Sequence, residues 1–240
     1  MQVLIIAGLA SVAQAAAIRW MPLGDSITDY GCWRAWIWER FQKEGYDVDL
    51  VGGERAGENC NGLNFDRDHE GHPGFMAVDI VAKSQLTDWL KKNPADVVTM
   101  HLGTNDIYRG NRKTPEIIAA LGKLVDQMRA SNPAIRIIVS QIIPLPAVDK
   151  QVQDLNQAIP AWAVSKNSTE SPIWVVDQWS GFTTSDLKDG IHPSESGDVK
   201  MANTFYPALV YAIKTIEDST ERITGAQAQA YRGQTVKLAS

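Results

Sequence analysis

The stretch LGDSITD, residues 23–29, directly follows an apolar run at residues 18–23. A Ser or Asp just past a strand commonly caps a helix or forms a turn, so Ser26 has a structural interpretation as well as a chemical one. A nucleophilic Ser26 requires a base, an acid that orients this base, and hydrogen-bond donors for an oxyanion. The choice between the two interpretations depends on whether other segments of the chain supply these groups.

Short apolar runs rich in β-branched residues alternate with stretches of helical periodicity. Five buried strands are predicted, at residues 18–23, 47–51, 97–102, 135–143 and 173–176. Five helices are predicted between and after them, at residues 33–44, 77–92, 114–131, 150–166 and 194–215. This alternation predicts an α/β fold in one domain, with a parallel sheet covered on both faces.

The composition is that of an ordinary globular chain. Of its 240 residues, 44% are hydrophobic and 21% are charged, which is enough for a full core. The formal net charge is −5, and no cluster of Lys and Arg stands out. Nucleic acid is therefore not an expected partner.

The first 20 residues, MQVLIIAGLASVAQAAAIRW, are typical of a secretory signal peptide. An apolar stretch at residues 3–12 precedes Ala13 and Ala15, which form an A-x-A-like cleavage site, although no Lys or Arg precedes the stretch. The alternative is a buried first strand or helix. The run is too short to span a bilayer, so we expect residues 1–16 to be removed from a secreted, extracellular protein without a membrane partner.

Two further features agree with an extracellular location. Cys32 and Cys60 are the two cysteines of the chain and predict one disulfide, the alternative being two buried free thiols. The sequon at Asn167 (Asn-Ser-Thr) predicts an N-glycan on a surface loop.

The end of the chain differs in composition from the rest. After residue 216 the sequence becomes polar and rich in Gln and Ala, without an apolar stripe. We therefore predict a domain at residues 17–217, followed by a loosely packed tail at residues 218–240.

Four polar segments are expected to meet at one edge of the predicted sheet. They are residues 24–26, 66–76, 103–106 and 189–193, and they lie after predicted strands one, two, three and five. Sites in parallel sheets form beyond the carboxyl ends of the strands. This edge is therefore the predicted location of any chemistry.

His192 is the favoured base for Ser26. In the loop Asp189-x-x-His192, the carboxylate can fold back onto Nδ1 of the imidazole while Nε2 faces outward. His101 lies inside a predicted strand and is expected to pack in the core. His69 and His72 are expected to face the surface or a substrate, because the Gly and Pro residues at 71–74 exclude the helix that metal-binding spacing would need.

Three groups are candidate donors to an oxyanion. They are the backbone N–H of Ser26 at a helix N-terminus, a glycine N–H from residues 71–74, and the side-chain amide of Asn105. Asn105 has the alternative role of a turn former.

Taken together, these segments resemble the SGNH hydrolase superfamily. The resemblance rests on the order Gly24-Asp25-Ser26, Gly74, Gly103-Thr104-Asn105-Asp106 and Asp189-x-x-His192. It implies a three-layer α/β/α sandwich with a five-stranded, flavodoxin-like parallel sheet.

The resemblance also implies roles for individual residues. Ser26 would be the nucleophile, His192 the base and Asp189 its partner. The N–H groups of Ser26 and Gly74 and Nδ2 of Asn105 would form the oxyanion hole, with Gly71 as the alternative to Gly74. No cofactor and no metal are implied.

Two segments, MPLGDSITD and HEGHPGF, are most similar to carbohydrate esterase family 3, which is known for acetyl xylan esterases. This similarity implies a secreted serine esterase that removes O-acetyl groups from plant cell-wall polysaccharide, such as acetylated xylan, and acts as a monomer. Trp33, Trp36 and Trp38 follow the predicted nucleophile closely and are candidates to stack on sugars, although Trp36 fits the core better.

Three other functions remain open from the sequence. A lipid or short-chain carboxylesterase of the same superfamily would use the same residues on other acyl groups. A carbohydrate-binding module without activity would have lost catalytic positions, and here none is missing. A metallohydrolase would use Asp25, Asp106 and His192, but it lacks a second well-placed histidine.

Overall fold

A computed structural model describes residues 16–55, Cys60 and residues 62–237, with side chains up to residue 220. The predicted signal peptide lies outside these residues, except for Ala16. Six parallel strands form one sheet: β1 (Ile18–Gly24), β2 (Val48–Leu50), β3 (Glu70–Gly71), β4 (Val97–His101), β5 (Arg136–Gln141) and β6 (Ile173–Asp177). Their order is β2-β1-β4-β5-β6, and β3 pairs with the end of β1.

Helices cover both faces of this sheet. They are α1 (Ser26–Tyr30), α2 (Trp33–Glu44), α3 (Ala77–Ala82), α4 (Gln85–Lys92), α5 (Thr104–Tyr108), α6 (Thr114–Ser131), α7 (Asp149–Lys166) and α8 (Glu195–Lys237). Helices α2 and α8 pack on one face through Phe41 and Phe205, against Trp20 of β1. Helices α3, α4, α6 and α7 pack on the other face, against neighbours such as Met21. Alternate side chains of each strand thus enter opposite cores, which is the predicted three-layer α/β/α sandwich.

The observed elements differ from the predicted ones in three places. The two-residue strand β3 was not predicted, because so short a segment has no periodicity. The helix predicted at residues 77–92 is two helices, since Ser84 adopts a left-handed backbone with φ of 54°. The helix end predicted at Thr215 is wrong: α8 continues to Lys237 through residues with good helix propensity, such as Ala and Gln. In the described part of the chain, no helix combines the length and apolar character needed to cross a membrane.

The predicted disulfide is present between Cys32 and Cys60, with Cα atoms 5.4 Å apart. It joins the start of α2 to the loop after β2 and packs beside Ala35 and Phe65. The alternative of two free thiols therefore does not hold for this structure.

Changing both Cys32 and Cys60 to Ser is expected to lower the free energy of unfolding by about 2–4 kcal/mol, because the cross-link restricts the unfolded chain. Activity at low temperature should fall less than stability, since neither sulfur lies at the candidate site. Thermal unfolding followed by circular dichroism, with thiol titration of the native protein, measures both effects. Two titratable thiols in the native protein would contradict the bridge.

Candidate active site

Ser26 is the first residue of α1, at the carboxyl end of β1. The capping role falls to its neighbour: the Asp25 carboxylate accepts the N–H of Ile27 at 2.9 Å. The Ser26 hydroxyl is not used for capping, and its Oγ lies 2.8 Å from Nε2 of His192. The structural interpretation of Ser26 as a cap therefore does not hold.

His192 is held by the carboxylate of Asp189. Nδ1 of His192 lies 2.6 Å from Oδ2 of Asp189. Oδ1 of Asp189 accepts the N–H groups of Ile191 at 2.9 Å and His192 at 2.8 Å. The loop is closed by a hydrogen bond of 2.9 Å from Lys188 N–H to the His192 carbonyl. Ser26, His192 and Asp189 thus form one hydrogen-bonded chain.

The electrostatics keep Asp189 ionised. Burial acts to raise the pKa of Asp189, but the hydrogen bonds from the His192 N–H, the His192 ring and the Ile191 N–H outweigh it and lower this pKa to about 2. A carboxylate ionised throughout the neutral range fixes the proton of the imidazole on Nδ1 and leaves Nε2 able to accept the hydroxyl proton of Ser26.

A cavity of about 320 Å³ opens beside this chain of three residues. The predicted oxyanion donors Gly74 and Asn105 line it, together with Ser26, Tyr30, Pro73, Thr104, Tyr108, Arg109, Ile191 and His192. Gly71 does not line it; its N–H donates to Nδ1 of His69 at 3.0 Å within the sheet. Of the two candidate glycines, Gly74 is therefore the one that lines the cavity.

Asp25 orients the amide of Asn105. Nδ2 of Asn105 donates to Oδ2 of Asp25 at 3.1 Å, and both side chains are buried. Burial raises the pKa of Asp25 to about 7, and the nearby Asp106 adds to this, while the hydrogen bonds from Ile27 and Asn105 lower it. Local sequence does not reveal this positioning role of Asp25, because its contact with Asn105 spans 80 residues of chain.

The raised pKa of Asp25 has a consequence for stability. Below about pH 4 the carboxyl is protonated in both the folded and the unfolded state. Between about pH 4 and the folded-state pKa of about 7, the unfolded state loses this proton first, so stability falls as pH rises through this window.

Replacing Asp25 by Asn is therefore expected to remove part of the pH dependence. Between pH 5 and pH 8, the free energy of unfolding of the native protein should fall by about 2–3 kcal/mol more than that of Asp25→Asn. Chemical denaturation at several pH values measures this, with Asp88→Asn on the exposed face of α4 as the matched control. Parallel curves for native protein and Asp25→Asn would show that this carboxyl titrates normally.

Asp106 links the loop after β4 to the start of α3. Its carboxylate accepts the N–H groups of Ala77 at 2.8 Å and Val78 at 3.1 Å. Asp25 and Asp106, two residues of the metallohydrolase alternative, thus have other partners. The described residues contain no group of three or more His, Cys, Asp or Glu side chains that could hold a metal ion.

The expectation that His69 faces the surface or a substrate is wrong, and His72 is only partly buried, with 12% of its side chain exposed. His69 is fully buried, with Nε2 3.3 Å from Oδ1 of Asp29. The ring of His72 stacks on Phe75 and Trp89, at centroid distances of 4.8 and 4.2 Å. Neither ring lines the cavity beside Ser26, and local sequence does not reveal these contacts.

The prediction that His101 packs in the core is confirmed. His101 is buried in β4, and its Nε2 accepts the N–H of Ile143 at 3.2 Å. Burial lowers the pKa of His101 to about 4, so this ring is neutral at pH 7. It is a core residue.

The tryptophans after Ser26 do not line the cavity. Trp33 is buried and stacks on Phe205 at 4.9 Å, and Trp36 and Trp38 are partly buried against the core. The tyrosine side chains in the cavity are Tyr30 and Tyr108, which were not predicted from the sequence. Both belong to short helices, α1 and α5, which follow the carboxyl ends of β1 and β4.

Asn167, the predicted glycosylation site, is exposed at the end of α7. Its Oδ1 accepts the N–H of Ile173 at 2.8 Å. It lies near the start of β6, at the sheet edge opposite Ser26. Glycosylation there stays a prediction.

Comparison with known proteins gives a family match and close relatives. Residues 23–199 match the model of the GDSL-like lipase/acylhydrolase family. A protein described as a multidomain esterase, from Ruminococcus flavefaciens, is 30% identical over 214 residues, which cover 78% of this chain. The chain spans only 28% of the length of that relative.

Two solved structures are similar over most of their lengths. An acetyl esterase, solved as a serine-to-alanine mutant with an acetate ion, has 37% identity and a TM-score of 0.79, covering 83% of this chain and 99% of its own. A carbohydrate esterase of family 3 from Talaromyces cellulolyticus has 38% identity and a TM-score of 0.80, covering 82% of this chain and 99% of its own.

Proposed function

We propose that this chain, which belongs to the GDSL-like lipase/acylhydrolase family and is a carboxylic ester hydrolase, removes O-acetyl groups from plant cell-wall polysaccharide such as acetylated xylan. The hydrogen-bonded chain from Ser26 through His192 to Asp189 carries the proposal. The relatives described as an acetyl esterase and a family 3 carbohydrate esterase support the acetyl group and the saccharide.

The proposed reaction has two steps. Oγ of Ser26 attacks the acetyl carbonyl while Nε2 of His192 takes the hydroxyl proton and then passes it to the leaving sugar oxygen. Water, deprotonated by the same nitrogen, then attacks the acetyl-Ser26 ester; the bond from Oγ to the acetyl carbon breaks, the proton returns to Oγ of Ser26, and acetate is released. Asp189 stabilises the imidazolium that forms in each step.

Charge on the carbonyl oxygen is stabilised by donors in the cavity. The N–H of Ser26, the N–H of Gly74 and Nδ2 of Asn105 are the proposed donors. Asp25 holds the amide of Asn105 through the hydrogen bond from Nδ2 to Oδ2. Preorganised donors of this kind need no rearrangement as the charge develops.

We also propose that the protein is secreted. This rests on the signal-peptide pattern at residues 1–16 and agrees with the Cys32–Cys60 disulfide, since such bonds persist in oxidising compartments.

The function is tested by measuring acetate release from a panel of acetylated glycans. The acyl-chain preference is tested by comparing hydrolysis of p-nitrophenyl acetate with that of p-nitrophenyl octanoate. We expect release from acetylated xylan and a preference for acetate over octanoate, because the cavity is at the lower end of the size range for small-molecule sites. A preference for octanoate would favour the lipid esterase instead. Binding of xylan without any ester hydrolysis would favour the carbohydrate-binding module.

A further inference from the structure

Arg109 lines the cavity, but the proposed reaction does not use it. It directly follows α5, and its backbone N–H donates to the Asn105 carbonyl at 3.0 Å, which fixes the main chain at this position. Its guanidinium makes no hydrogen bond or ion pair with any side chain that the structure describes. A cation without a partner is therefore exposed at the edge of the candidate active site.

The guanidinium of Arg109 lies close to Gly74, one of the proposed oxyanion donors. Its φ is +79°, and a Cβ at this position would lie only 2.6 Å from Nη1 of Arg109. The absence of a side chain thus leaves room for the guanidinium beside the backbone of a proposed oxyanion donor. The guanidinium of Arg109 therefore lies beside Gly74, and both residues line the cavity.

The residues that line the cavity include a positive charge but no negative one. Arg109 is the one permanently charged residue of the lining, which contains no carboxylate. By contrast, the nearby Arg112 lies 3.5 Å from Glu116 on the exposed start of α6. A neutral acetyl ester needs no permanent cation, whereas a guanidinium matches the two oxygens of a carboxylate.

We infer that Arg109 binds the carboxylate of a uronic acid residue that carries the acetyl group. The enzyme would then prefer acetylated acidic saccharides to neutral ones. This inference rests on the proposed deacetylation. The net charge of −5 repels a polyanion at long range, but salt screens this repulsion beyond about 8 Å at physiological ionic strength. The preference therefore comes from the local contact.

Three matched substrates test the inference: an O-acetylated methyl glucuronoside, its carboxamide, and the corresponding acetylated methyl glucoside. We expect kcat/KM at pH 7 and low salt to be about tenfold higher for the acid than for the amide, mainly through KM, and this ratio to shrink at high salt. Arg109→Gln should lower kcat/KM for the acid to the value for the amide. Arg109→Lys should keep part of the preference, and Arg112→Gln should keep all of it.

The possible failures are distinguishable. Equal kcat/KM for acid and amide in an active enzyme overturns the inference and leaves the proposed function intact. The same holds if Arg109→Gln lowers activity on all three substrates equally, because the guanidinium would then act on the acetyl group. If no substrate, including p-nitrophenyl acetate, releases acetate, the proposed function fails and the inference fails with it.

Discussion

Replacing Ser26 by Ala is expected to lower kcat for acetate release by at least about 10⁴-fold, on both acetylated xylan and p-nitrophenyl acetate. The variant lacks the oxygen that would form the acetyl ester, whereas His192, Asp189 and the oxyanion donors stay in place. The fold should be unaffected, because Asp25 and not Ser26 caps α1. Initial rates and thermal unfolding of the same preparation measure both expectations.

Ser165→Ala is the matched control for this variant. Ser165 is exposed on α7, where its hydroxyl donates to the Trp162 carbonyl, away from the cavity. This variant should retain full activity. If Ser26→Ala kept more than a small fraction of native activity, the assignment of Ser26 as nucleophile would be wrong.

Replacing Asn105 by Ala is expected to lower kcat by about 10²- to 10³-fold with little change in KM, because one oxyanion donor is removed. The side chain also touches Asp25, so a purely structural effect has to be separated from a catalytic one. Covalent labelling of Ser26 by an organophosphonate serves this purpose, since its rate depends on the same donors. A structural effect alone would lower thermal stability and leave the labelling rate per folded molecule unchanged.

The control for this second variant is Asn203→Ala. Asn203 is exposed on α8, and its Oδ1 accepts a hydrogen bond of 3.1 Å from Arg40. We expect native kinetics from it. A native kcat for Asn105→Ala would remove Asn105 from the oxyanion hole and leave the two backbone donors.

Local patterns in the chain were sufficient for much of the architecture. The five apolar runs predicted five of the six strands of the sheet, β3 being the exception, because a strand buried on both faces is mostly apolar. The helix predicted at residues 114–131 was found at Thr114–Ser131, and Pro115 lies in its first turn, which Pro suits. The contact between Asp189 and His192 was also predictable, since three residues of a tight loop join them.

The sheet topology was needed wherever partners are distant in the chain. Ser26 and His192 are 166 residues apart, and they meet because β1 and the loop after β6 end at the same edge. The order of segments suggested this meeting, but the distance of 2.8 Å depends on how α1 and α8 pack on the sheet.

Burial of polar groups was the least predictable property. His69 and Arg34 are as hydrophilic as any surface residue, yet both are fully buried. Arg34 donates to the carbonyls of Thr28 and Asp29 at 2.9 and 3.2 Å and thereby holds the end of α1. These partners become available only after folding.

The pKa of Asp25 likewise depends on the folded structure and not on local sequence. The carboxyl of Asp25, directly before α1, has an ordinary pKa in an unfolded chain, but complete burial raises this pKa to about 7. Sequence patterns report the periodicity of strands and helices, because this periodicity is local. Desolvation and contacts between distant segments are properties of the packed molecule, and they decide which polar groups of this chain reach the cavity.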